Sequence, residues 1–164
     1  MTPEESIVAT AVQSWTINVE RADKLFSGLS ASQLLQEIAP GRNRLVYLWG
    51  HLLAVHDAIA PLMGLGERLH PELDAIFLTE ADKAVAVLPS AAELKKQWDE
   101  VHGRLLEGFR RFTASEWAQK HTAMSDEDFE ANPLRNRLAV LLNRTNHLSS
   151  HLGQAALAMK PSGR

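Results

Sequence analysis

An all-α fold, a four-helix bundle with short extra helices in its connections, is what this sequence predicts. Four segments repeat apolar residues at steps of three and four, the spacing that lines one face of a helix. Proline, glycine and capping-box patterns punctuate the stretches between them. No strand pattern competes, apart from AIFL and AVAVL inside one long connection.

The first helix spans about Pro3 to Leu29, with Ile7, Val8, Val12, Trp15, Val19, Ala22, Leu25 and Phe26 on its apolar stripe and Pro3 suited to the first turn. Ser30 to Gln33 has capping-box spacing and predicts a short helix that ends in the turn APGRN. The second long helix runs from about Asn43 to Gly64. The following stretch, GLGERLHPELDAIFLTEADKAVAVLP, has no single period and reads as a long, partly structured connection of the kind that is often functional. Ser90 to Glu93 opens the third helix, which carries Leu94, Trp98, Val101, Leu105, Leu106 and Phe109 on one face. Thr113 to Glu116 repeats the pattern and predicts an extra turn through Trp117. After the acidic loop SDEDFEANP the fourth helix runs from near Pro133 to about Met159. Four such helices imply an up-and-down bundle, and the long connection after the second allows a crossover instead.

Residues 1–164 fit one domain. With 17 Lys+Arg against 20 Asp+Glu, and no long run of either sign, nucleic acid is not an expected partner. The absence of cysteine excludes disulfides and a cysteine nucleophile, so any thiol chemistry must use a thiol from outside. The start MTPEESIVATAV lacks the basic and apolar regions of a signal, and LVYLWGHLLAV is too short to span a bilayer. A cytoplasmic protein without membrane contact is expected.

The histidines carry the chemistry. His51 lies on the apolar stripe of the second helix with Tyr47, Leu48, Val55, Ala58 and Leu62, and so points inward, whereas His56 falls far around the helix, toward solvent. His147 and His151 stand four apart on the fourth helix, one above the other. They lie beside its strongest apolar arc of Leu141, Leu148, Leu152 and Ala155, so periodicity alone also allows a solvent-facing pair. Yet their arc holds Asn136, Val140, Asn143, Ser150 and Gln154, and Arg144 is the one charged residue from Leu138 to Met159. An uncharged polar stripe suits a hydrated cavity better than open water. The resulting hypothesis is that His51, His147 and His151 converge on one divalent metal, with water in the remaining positions as in catalytic rather than structural sites. His102, also on an apolar face, is either a core residue bonded to a nearby polar group or a fourth ligand. Asp57 is at best an outer partner.

Three stretches then carry a resemblance. NRLVYLWGH places Asn43 eight residues before His51, LPSAAELKKQWDEVHGRLLEGFRRFTASEW has a Trp in the first half of a helix and a short capped turn after it, and HLSSHLGQ reads H-x-x-x-H-x-G-Q. In these features and in helix order the chain resembles the DinB/YfiT-like superfamily of four-helix-bundle metalloenzymes over nearly its whole length. The resemblance implies His51, His147 and His151 as metal ligands and a homodimer. It also implies, from members of known activity, a transferase or isomerase that uses a low-molecular-weight thiol. Asn43 is expected to cap the second helix, Gly153 to allow close helix approach, and Gln154 to bond a ligand ring or a substrate.

A divalent transition metal, zinc or nickel foremost, and a small-molecule substrate are therefore expected. The leading activity is thiol S-transfer, with Arg144 either attracting an anionic cosubstrate or standing on the surface. The alternatives are a non-catalytic metal- or ligand-binding stress-response bundle and a metal-dependent hydrolase. The last is the weaker, because no acid or base accompanies the histidines on their helix arcs.

Overall fold

The structure is a computed structural model, described here for residues 1–159. Its elements are α1 (Pro3–Ser27), α2 (Ala31–Leu34), α3 (Leu45–Asp57), α4 (Ile59–Met63), a π-helical turn (Ala75–Thr79), α5 (Ala91–Arg111), α6 (Ala114–Trp117), α7 (Asp126–Ala131) and α8 (Arg137–Ala158). No strand occurs among the described residues; AIFL forms the π-helical turn instead.

The capping boxes form as their spacing requires at Ser30, Ser90 and Thr113, and a further one at Thr2 starts α1. The second long helix is interrupted at Ala58. Pro61 is the physical reason: it has no N–H to give and its ring crowds the carbonyl of Asp57. The acidic loop contains α7, capped by Ser125, so the fourth long helix starts at Arg137 rather than near Pro133.

Asn43 does not cap α3. The N-cap is Arg44, without a side-chain cap bond of its own, and its N–H donates instead to Asp82 Oδ2 at 2.6 Å. The Arg44 guanidinium holds the same carboxylate, with Nη2 2.7 Å from Oδ1. A carboxylate from the long connection thus does the capping, and it ties that connection to the start of α3.

The α1 helix packs against α8 and α5, and α3 against α5 and α8. Consequently α1 and α3 share one diagonal of the bundle, and α5 and α8 the other. The long connection after α4 therefore joins neighbours, while the diagonal crossings are made through α2 and through α6 and α7. Trp15, Trp49, Trp98, Trp117, Phe26, Phe77 and Phe109 are fully buried among leucines between these helices. Leu45–Met63 is long and apolar enough to cross a membrane, unlike the shorter stretch noted in the sequence, but it is mostly buried inside the bundle.

Candidate metal centre

The α3 helix is buried nearly all round, and it brings His51 to face α8. His51 Nε2 lies 3.3 Å from His147 Nε2, and His151 Nε2 lies 3.0 Å from the same atom. The three ligand atoms are all within 4.8 Å of one another. Histidines from two helices that are far apart in sequence thus present the same ring atom to one point.

The outer nitrogens of two of them are held by the protein, while His147 Nδ1 is buried without a partner among the described residues. His51 donates its Nδ1–H to the carbonyl of Phe77 at 3.1 Å, and His151 donates its Nδ1–H to Gln154 Oε1 at 2.8 Å. Each bond selects the tautomer whose Nε2 carries a lone pair. His147 Nε2 then faces two bare lone pairs, and a single N–H could satisfy only one of them. A cation satisfies all three. Metal–nitrogen bonds of about 2.0–2.1 Å in tetrahedral geometry put nitrogens about 3.3 Å apart, close to the separations of His147 Nε2 from the other two. The donor set therefore fits a divalent transition ion.

The electrostatics agree. Burial lowers the pKa of His51, with the nearby His151 and Arg144 acting in the same direction against the Phe77 bond. Burial, reinforced by the other two histidines and Arg144, lowers His147 to about 4. Both rings are thus neutral near pH 7, the form that ligates metal. Among the described residues no carboxylate belongs to the cluster.

Phe77 is a partner that periodicity had no means of finding. It sits in the π-helical turn of the long connection, fully buried, and its carbonyl also accepts from Tyr47 Oη at 3.3 Å. That hydroxyl has one proton and shares it with the closer Glu80 carbonyl, at 2.6 Å. The ring of Phe77 lies over Gly50: a Cβ there would be 2.3 Å from the ring carbons. Glycine beside His51 is what lets this turn approach the site, and that glycine was the available sequence signal.

Several expectations are corrected. His56 is fully buried, because Trp15 of α1 and Trp98 and His102 of α5 cover the side of α3 that its own periodicity assigned to solvent. His102 is not a fourth ligand. Its Nδ1–H donates to the Trp98 carbonyl at 2.7 Å, and its Nε2 accepts from His56 Nδ1 at 2.7 Å, so both ring nitrogens are used in the core. Burial holds both of these imidazoles neutral, His102 at about 4. Asp57 lies away from the site, accepting from the backbone N–H groups of Leu69 and His70, each at 2.9 Å, and from Arg68. Gly153 permits no close approach, since a Cβ there would meet nothing within 4 Å. Gln154 does bond a ring of the triad. Arg144 is half-buried rather than a surface residue, and burial, with no carboxylate to offset it, lowers its pKa.

Comparison with curated proteins finds no match to this chain. The family model of the DinB superfamily matches residues 15–155, from the middle of α1 to near the end of α8, with the three histidines inside it. On that match, over an arrangement of helices and imidazoles that agrees with it, the chain belongs to the DinB superfamily.

Proposed function

We propose that this protein is a metal-dependent transferase that moves a group onto the sulfur of a low-molecular-weight thiol, with zinc or nickel held by His51, His147 and His151. The observation that carries the reading is the convergence of three imidazole Nε2 atoms at a cluster without a carboxylate. When bound there, a divalent ion supplies Lewis acidity, which lowers the pKa of a coordinated thiol toward neutrality.

The chain's own part is positional. The Phe77 carbonyl and Gln154 aim two of the imidazoles, and neutral rings leave the charge of the ion uncompensated. In the overall reaction a sulfur–carbon bond forms, the bond from that carbon to its leaving group breaks, the leaving group takes the electron pair, and the thiol proton passes to solvent. No general base is required at neutral pH, which favours this chemistry over hydrolysis, where attack by water usually needs one.

The test mixes metal-loaded protein with a panel of small cellular thiols and a model electrophile, and follows the loss of free thiol. Metal-dependent acceleration that disappears in His147→Ala is expected. No acceleration across the panel would overturn the transferase reading and leave a metal-binding bundle without catalysis.

A further inference from the structure

One turn from the triad along α8, a cleft of about 300 Å³ opens between α8, Leu62 of α4 and the segment before α7. Its polar lining consists of His121, Arg135, Asn136, Asn143 and Arg144. No aspartate or glutamate lines it, although the chain carries 20 of them and a net charge of −3. Two polar atoms of residues that line it, Arg144 Nε and His121 Nδ1, are themselves buried and have no hydrogen-bond partner among the described residues. Buried groups of this kind are rarely left unpaired, and a half-buried guanidinium without a carboxylate is a stronger case still. The cleft also lies at the first turn of α8, where Asn136 is the N-cap and the helix presents the positive end of its dipole.

We infer that this cleft is an anion-binding subsite for the carboxylate of a small organic molecule, with Arg144 as its counter-ion and His121 and Asn143 as further donors. A planar guanidinium edge matches two carboxylate oxygens, and of the two arginines in the lining Arg144 is the half-buried one, Arg135 being exposed to solvent. Arg144 and Asn143 precede His147 by three and four residues, about 4.5–6 Å along the helix axis. A ligand anchored here extends toward the three histidines. That last placement rests on the metal reading above; the anion site itself does not.

The experiment is a two-dimensional NMR titration of metal-free protein with propionate, its neutral isostere propionamide, and inorganic phosphate. Propionate should give saturable shifts confined to His121, Asn143, Arg144 and their neighbours, and propionamide none. Arg144→Gln should weaken propionate binding at least about tenfold, the loss expected when a charge-assisted bidentate contact is removed. Asn143→Ala, at an exposed position, is a second variant that leaves the core intact and should weaken it less. Absence of saturable shifts with propionate, or equal affinity in Arg144→Gln, would overturn the site. Saturation by phosphate alone would overturn the carboxylate assignment. Metal titration of the same variant separates this inference from the metal reading. Removing a cation beside the histidines should leave metal affinity unchanged or higher, whereas a wild-type protein that binds no metal refutes the triad and leaves the anion result standing.

Discussion

Replacing Gly50 with alanine should damage both stability and metal binding, for one geometric reason. The added Cβ would lie 2.3 Å from two Phe77 ring carbons and 2.5 Å from a third. Carbon atoms pack at about 3.5–4.0 Å, so the ring must retreat by more than about 1 Å. Phe77 is fully buried and packs edge-on against Tyr47, with ring centroids 5.6 Å apart, so it has no free space to enter. Overpacking of this kind costs about 1–3 kcal/mol, and the severity of the overlap puts Gly50→Ala at the upper end. For a chain of this size that corresponds to a melting temperature lower by about 4–12 °C. The same displacement moves the carbonyl that accepts from His51 Nδ1, and loss of such an outer partner typically weakens metal affinity by about 10–100-fold. Denaturant unfolding of metal-free protein and competition titration with a chelating dye measure the two effects. Gly153→Ala is the control: its Cβ meets nothing within 4 Å, so the variant should gain about 0.5–1 kcal/mol from helix propensity. A Gly50→Ala protein as stable as the wild type, with unchanged metal affinity, would refute the role given to the π-helical turn.

Alanine at His51, His147 or His151 should abolish stoichiometric metal binding, while His70→Ala should retain it; a full metal complement in His51→Ala would remove one corner of the site. Metal-free protein should lose stability between pH 7.5 and 5. The folded pKa of His102 is depressed to about 4, so its contribution is present above the ordinary histidine value and is lost as pH falls from there toward the folded one. With an unfolded value of about 6.5, this one ring accounts for about 2 kcal/mol by pH 5. His56, depressed in the same direction, adds to the loss, so denaturation midpoints that are flat across this range would contradict the buried pair. Chelated protein should stay helical by circular dichroism, because the aromatic and leucine core does not depend on the ion, and metal should raise its melting temperature in proportion to the logarithm of free metal above its dissociation constant. Cooperative unfolding on chelation at room temperature would make the ion a structural requirement.

The four long helical segments, the capping boxes at Ser30, Ser90 and Thr113 and the pairing of His147 with His151 were legible in the sequence, because each depends on residues within a few positions of one another. An i, i+4 pair shares a helix face whatever the rest of the chain does, and Ser-x-x-Glu closes its own first turn. The inward direction of His51 was legible for the same reason. What covers a helix is not local. His56 lies on a side of α3 that a single-helix projection leaves open, and only the packing of Trp15, Trp98 and His102 around it decides that it is buried. The Asp82 carboxylate at the start of α3, the Phe77 carbonyl behind His51 and the pairing of α3 with α5 and α8 join residues dozens of positions apart. Periodicity records the direction of a side chain from its own helix axis and carries no information about what waits there. The residues that could hold a metal were therefore written in the sequence, and the groups that orient two of them were settled only when the chain folded.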